Sequence, residues 1–362
     1  MNILAINTGG IGDLHGLRVR RLTADLPYDV TVYDVDRSRG RWQNLHHIDK
    51  VLRSKHWDLV YQEATGVVAG LNLIRAAKSR AQQFIVSSGD PVEGYFRNVK
   101  GPVAGWIATR YERSLYRNCT CFIGWTPYLT GRAIHMGAPR GATIEGAVDT
   151  SLFAPRSEEE RTAIRRKLGI PGSNIVCGVV GSIRWVPRQQ YCYGLELVRM
   201  LDYLERTDVS VLIVGDGDGM PRLRAGADRH PGRVVFTGRV PEEDVATAVN
   251  AMDIGFITQT LDGLGSFRLT TKMPEYLASG VPIAVSPIPG LFDYAWEAGW
   301  ALPAFHPASD EMPRGIAQWL DRITRDEVRA RASRARAVAV SRFDYDIVAP
   351  RFAGLLRHLL GA

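Results

Sequence analysis

The 362-residue sequence predicts an α/β protein of two Rossmann-like domains in tandem. Three observations predict it. Short β-branched runs alternate with longer amphipathic stretches from start to end, the pattern of βα units feeding a parallel sheet. The alternation breaks once, at 148–157, and then restarts. The chain is also longer than one hydrophobic core usually serves.

In the first half the strand candidates are Asn2–Ile6, Asp29–Tyr33, Trp57–Tyr61, Gln83–Val86, Cys121–Gly124 and Ala142–Glu145, with helices in the gaps. Pro155 and the acidic run after it mark a linker, and Ser157 is placed to cap the helix that follows. The second half offers Ile175–Val180, Val209–Val214, Val234–Phe236, Asp253–Ile257 and Pro282–Val285 as strands. The last stretch, Tyr345 to Leu360, is apolar at Ile347, Val348, Phe352, Leu355, Leu356 and Leu359. That spacing is a helix closing over something already built.

Hydrophobic residues at 45% and charged residues at 23% exclude a disordered or fibrous chain. The amino terminus, MNILAINTGGIGD, lacks a basic flank and a cleavage site and reads as a first strand, and no apolar run is long enough to span a bilayer. A cytoplasmic protein is expected. Cys119, Cys121, Cys177 and Cys192 have no CxxC spacing and no nearby histidines, so free, reduced thiols are expected.

The net charge is +7, and it is dispersed: residues 1–160 hold 20 Lys+Arg against 16 Asp+Glu, leaving 25 against 22 for the rest. Dispersal and the lack of any recognition module argue against nucleic acid as a partner. Arg329 to Arg336 reads as a solvated helix face. Arg18, Arg20 and Arg21, and Arg37, Arg39 and Arg41, fall on or near loops of the first half, where they could meet a phosphate or, as a peripheral membrane contact, a lipid headgroup.

In doubly wound sheets ligands collect at the carboxyl ends of strands. The first such loop, TGGIGDLHG at 8–16, has the glycines for close backbone approach and leads into a helix whose amides face an anion. It is no dinucleotide fingerprint, because Gly10 and Gly12 are followed by His15 where the third glycine belongs. Asp13 and His15 are its polar candidates on the acceptor side. VLIVGDGDG at 211–219, with Gly215, and FTGRV at 236–240 repeat the strand-to-glycine device, and Gly181-Ser182-Ile183-Arg184 adds a guanidinium suited to a diphosphate, with Arg188 as its rival.

The most informative segment is TTKMPEYLASGVPIAVSPIPG at 270–290. A helix from about Lys272 puts Lys272 and Glu275 on one face of its first turn, an ammonium for phosphate beside a carboxylate for ribose hydroxyls. Only six of the 45 basic residues are lysines, so Lys272 breaks the chain's habit of using arginine.

These segments, with YERSLYRN, GAVDTSLFAP, GSIRW, VGDG and AMDIGF in order, resemble glycosyltransferase family 4, the retaining glycosyl transferases group 1 of GT-B fold. The resemblance implies two Rossmann-like domains facing each other across a cleft, with the last helix returning to the first domain. The expected boundaries are 1–155 plus 344–362 for the acceptor domain and 156–343 for the nucleotide-sugar domain. It implies that Glu275 holds the ribose, that Lys272 and Arg184 or Arg188 neutralise the diphosphate, and that Arg239 and Val240 lie at the base. Gly10 to Gly12 would border the sugar phosphates, and Ser266 and Thr270, with Thr271 beside them, would face the donor sugar.

Two departures stand out. Phe267 replaces the first glutamate of the family's Glu-x7-Glu pattern, and the Lys-Gly expected in RWVPRQQYCYG is absent. After the fourth strand SSGDP stands where a histidine is frequent, which makes Asp90, with Glu93 behind it, the acceptor-side candidate.

The expected activity is hexosyl transfer, with retention, from a UDP-, GDP- or dTDP-sugar to a sugar, lipid-linked or small-molecule hydroxyl. Asp90, Lys272 and Arg184 are the candidate catalytic residues. No DxD with metal spacing stands out at a strand end; Asp34 and Asp36 form that string but follow the second strand of the acceptor domain, so no essential metal and no cofactor beyond the nucleotide sugar is expected. Two rivals share the fold: an epimerase or phosphorylase, and an inactive nucleotide-sugar-binding subunit. Trp106, Trp125 and Trp185 are available for an aromatic acceptor pocket, though core packing is the commoner fate of such residues.

Overall fold

A computed structural model describes residues 1–361, which form two compact units. The first comprises Met1–Ala147, Phe267–Leu269 and the chain from Tyr345 onward; the second comprises Val148–Ser266 and Thr270–Asp344. The boundary therefore falls at the start of the Pro155 linker rather than at its end. Val148 shows why: it bridges to Asp344, and its N–H donates to Phe343 O at 2.8 Å, both in the second unit.

In chain order the first unit contains β1 Asn2–Asn7, α1 Leu14–Thr23, β2 Asp29–Asp34, α2 Arg41–Leu52, β3 Leu59–Glu63 and α3 Val67–Arg80. It continues with β4 Phe84–Ser88, α4 Val92–Lys100, α5 Pro102–Asn118, β5 Cys121–Gly124, α6 Pro127–His135 and β6 Gly141–Thr143. All pairings are parallel, in the order β2-β1-β3-β4-β5-β6. Strand order reverses beside β1, so the switch point where ligands collect lies at the carboxyl ends of β1 and β3.

Both faces of this sheet are covered, as a parallel sheet requires. Leu4 and Ile6 point into one core with Val60, Phe84 and Phe122, while Ile3 and Ala5 point into the other with Leu59, Tyr61 and Ile85. The second core is closed by Val19 and Leu22 of α1 and by Val348, Phe352 and Leu356 of the final helix, Tyr345–Leu360. Phe352 meets Tyr61 with ring centroids 4.9 Å apart.

The second unit begins with α7 Glu158–Lys167, whose N-cap Ser157 and third residue Glu160 form a reciprocal capping box. It runs on through β7 Ile175–Val180, α8 Leu195–Met200, β8 Val209–Val214, α9 Met220–Ala227, β9 Val234–Gly238, α10 Glu242–Val249 and β10 Ile254–Ile257. Then come α11 Lys272–Ala278, β11 Ile283–Val285, α12 Pro289–Tyr294, β12 Gly299–Ala301, α13 Glu311–Leu320 and α14 Arg325–Arg342; the final helix is α15. The sheet order β12-β11-β10-β7-β8-β9 puts this unit's switch point at the carboxyl ends of β7 and β10.

No described helix is long and apolar enough to cross a membrane. The four cysteines are free and buried.

Candidate active site

In the second unit three strand exits are laced together. Gly181 N–H, after β7, donates to Val214 O at 2.9 Å, and Gly215 N–H, after β8, donates to Gly238 O of β9 at 3.0 Å. Ile183 N–H donates to Asp216 O at 3.0 Å, Gly219 N–H donates to Ile183 O at 2.8 Å, and Trp185 N–H donates to Asp218 Oδ1 at 2.7 Å. Gly215 has φ of +132°, and a Cβ there would stand 2.0 Å from Gly181 O. Only glycine fits that crossing.

Lys272 opens α11, at the end of the 258–271 loop that leaves β10, and meets the β7 exit at the switch point. Its side chain is 8% exposed; the ammonium lies 3.3 Å from the centroid of the Tyr193 ring, and its Cε would be 3.1 Å from a Cβ on Gly181. An ammonium over an aromatic face is held by the ring quadrupole. It is therefore seated in the glycine-lined exit and is no surface lysine.

Beneath it, Glu196 of α8 is fully buried and accepts a hydrogen bond from Thr258 Oγ1 at 2.6 Å, while Tyr191 OH lies 2.7 Å from that hydroxyl. Burial raises the Glu196 pKa, opposed by its hydrogen bonds and by the charge of Lys272. The sequence reading missed this carboxylate, which is masked by the apolar run LELVRM.

Glu275, one turn into α11, is half-buried, and its pKa is raised to about 8 by desolvation, with Glu242 adding and Lys272 opposing. Its ordinary value is 4.5. As pH rises between those values the unfolded chain has released the proton that the native state keeps, so stability falls over that interval and levels off above it. The melting temperature is expected to decline from pH 5 to 8 in the nucleotide-free protein, and Glu275→Gln to flatten the decline; parallel curves for the two proteins would remove Glu275 from this role.

Arg184, Arg188, Ser182 and Arg239 are exposed along the same exits, with no acidic partner for the arginines among the described residues. Val240, Ser266, Thr270 and Thr271 are partly buried, and Thr270 O and Thr271 O accept from Met273 N–H and Glu275 N–H, building the first turn of α11.

In the first unit Gly10 and Gly12 adopt φ of +93° and +76°. The loop is organised by Asn7, whose amide nitrogen donates to Gly10 O and to Asp34 Oδ1, each at 2.8 Å. Asp13 caps α1, accepting from His15 N–H at 2.8 Å.

His15 Nδ1 sits 3.6 Å from Oε1 of Glu63, a fully buried carboxylate at the end of β3. Glu63 also faces Arg18 Nε at 3.5 Å and Ser87 Oγ at 3.3 Å, and accepts from Tyr61 OH. Arg18 lies 4.7 Å over the Trp125 ring and donates to Glu145 O at 2.8 Å. Burial alone would lower the His15 pKa, but the hydrogen bond and charge of Glu63 outweigh it, and the net shift is upward. In an NMR titration His15 is expected to titrate above 6.5 and to fall on Glu63→Gln; an unchanged value would break the pair.

The acidic acceptor candidates part company. Asp90 pairs with Arg268 Nε at 2.7 Å. Glu93 is turned to Arg97 and, at 3.7 Å, to Arg132, serving the helices that follow. Phe267, where the resemblance implies a glutamate, packs on the first unit's core, and its carbonyl accepts from Thr126 Oγ1 at 2.8 Å. Among the tryptophans, Trp125 is buried in the first site, Trp185 borders the second, and Trp106 points outward on α5, 54% exposed.

Of the six basic loop residues expected to meet a phosphate or lipid, five are engaged within the unit and Arg41 is exposed. Arg18 is buried, Arg20 pairs with Asp34, Arg21 lies over Tyr345, Arg37 donates to Gly9 O and Arg39 pairs with Asp36. Near the end of the chain Arg336 is likewise turned inward, donating to Phe153 O and Ala278 O.

Two doubly wound parallel sheets, the first completed by the last helix, are the GT-B architecture of glycosyltransferases. Solved structures share it over the whole chain. HepE from Anabaena in complex with UDP is 18% identical, with a TM-score of 0.76 over 99% of this chain and 100% of that one. The same protein with UDP and glucose gives a TM-score of 0.77 at 17% identity, again over 99% and 100%. Sucrose-phosphate synthase from Thermosynechococcus elongatus gives 0.76 at 16% identity over 100% of both chains.

Residues 174–322, within the second unit, match the family model described as Glycosyl transferases group 1. A curated relative from Corynebacterium glutamicum, a GDP-mannose-dependent monoacylated alpha-(1-6)-phosphatidylinositol monomannoside mannosyltransferase, is 26% identical over 228 residues. That match takes in 59% of this chain and spans about half, 55%, of the relative.

Proposed function

We propose that the chain is a hexosyltransferase that moves a sugar from a nucleotide-diphosphate sugar to a hydroxyl acceptor, with retention, and needs no metal or cofactor beyond that donor. The observation that carries this is the seat of Lys272, an ammonium held in a glycine-lined exit at a switch point, one turn from the Glu275 carboxylate.

In the reaction the bond from the anomeric carbon to the diphosphate oxygen breaks, and the electron pair leaves with the diphosphate. The bond to the acceptor oxygen forms on the face the leaving group occupied. Lys272 and an exposed arginine, Arg184 or Arg188, neutralise the departing charge, and the backbone amides of the Gly181 and Gly215 exits add donors. Glu275 takes the ribose hydroxyls. Fixed cations of this kind do the work that a divalent ion does elsewhere.

On the acceptor side Asp90, already neutralised by Arg268, orients the hydroxyl and does not take its proton. His15, backed by Glu63, is the group suited to receive it near neutral pH.

Incubation with UDP-, GDP- and dTDP-sugars and a panel of hydroxyl acceptors, with product configuration read by NMR and chelator present throughout, tests each part. Acceptor-dependent product of retained configuration supports the reading. Turnover of donor without acceptor would point to an epimerase, and tight nucleotide binding with no turnover of any donor to a binding subunit.

A further inference from the structure

The hairpin of α4 and α5 carries an outward face that the sugar-transfer reading does not use. Val103, Trp106 and Ile107 are 72%, 54% and 57% exposed, and Tyr95 joins them from α4. On α5 the positions 103, 106, 107 and 110 are three and four apart, so they form one stripe, opposite the buried stripe of Gly105, Ala108, Glu112 and Leu115. Large apolar side chains contiguous at a helix start are rare on a surface that meets only water.

Charge on this face has one sign. Arg97, Lys100, Arg110, Arg113 and Arg117 are exposed, and the Arg110 guanidinium lies 3.7 Å from the centroid of the Trp106 ring. Of the hairpin's two acids, Glu93 pairs with Arg97 and Arg132, and only Glu112 is turned fully inward. Glu112 is fully buried and bound by Arg132 at 2.6 and 2.8 Å, while accepting from Val92 N–H and Glu93 N–H at the start of α4.

We propose that this hairpin docks the protein on an anionic bilayer, with Trp106, Ile107 and Val103 entering the headgroup boundary and the surrounding arginines and Lys100 facing lipid phosphates. An amphipathic helix with a tryptophan in its apolar stripe and a wholly basic margin has the chemistry of an interfacial element. The contact differs in place from the Arg18 and Arg37 loops, whose side chains are mostly engaged internally. It is also independent of which sugar is moved. The hairpin follows directly from Asp90, so docking brings that residue toward lipid-borne acceptors; this last consequence rests on the transfer reading, whereas binding to lipid does not.

The test is co-sedimentation of the whole protein with sucrose-loaded vesicles of phosphatidylcholine alone or mixed with phosphatidylglycerol. Binding is expected only to the mixed vesicles, weakened by salt, and reduced about tenfold or more in Trp106→Ser/Ile107→Ser and in Lys100→Gln/Arg110→Gln. Both pairs are exposed, and an unchanged melting temperature confirms the fold. Equal binding of the variants, equal binding to pure phosphatidylcholine, or a dimer in light scattering that the serine variant dissolves would each overturn the proposal, the last by assigning the face to a second copy of the chain.

Discussion

Lys272→Met is expected to lower kcat/KM for sugar transfer by about 10²-fold to 10³-fold, the size of effect seen when one fixed stabiliser of a developing anion is lost. Methionine keeps the length and apolar stem that pack against Tyr193 and Gly181, so the melting temperature should hold while the charge disappears. Lys272→Arg is not expected to rescue, because the slot beside Gly181 fits a compact ammonium and not a planar fork. Steady-state kinetics with purified variants decide the matter: turnover within a few-fold of the parent would remove Lys272 from the diphosphate.

The second large effect is structural. Gly215→Ala places a methyl 2.0 Å from the Gly181 carbonyl at a backbone angle of +132°, so the β7 and β8 exits must separate. A cost of about 2–4 kcal/mol follows from overpacking and strain together. For a unit of this size that lowers the melting temperature by roughly 10 °C. Gly172→Ala is the control, since nothing lies within 4 Å of a Cβ there, and it should be close to neutral. Similar melting points for the two variants would mean that the lacing of the exits contributes little to stability.

How much of this was legible in the residues depended on contrast along the chain. Ile175–Val180, Val209–Val214 and Cys121–Gly124 form at the bounds read from sequence, because each is a fully buried apolar run ended by polar or glycine residues. Trp57 was read as the start of β3, but it precedes the strand as a buried anchor, its ring 4.4 Å from the Lys55 ammonium and its Nε1 donating to Val51 O. The edge strand Gly299–Ala301 was missed: three residues show no periodicity, and only the pairing with β11 makes them a strand.

Lys272 and Glu275 were readable because they share a helix turn and because lysine is scarce in this chain. Glu63 and Arg18 were not. Glu63 ends the buried strand LVYQE, and its partners His15, Arg18 and Ser87 come from α1 and β4, remote in sequence and joined only by the sheet order. A carboxylate at the carboxyl end of a largely apolar strand was the one available signal.

The final helix has a consequence for synthesis. Ile3, Ala5, Leu59 and Tyr61 stay only partly covered, by Val19 and Leu22 of α1, until Val348, Phe352 and Leu356 have left the ribosome. The nascent chain can thus complete its second sheet while the first still shows bare apolar surface. Chaperone demand should therefore be highest during elongation through the second half and end when the final helix docks.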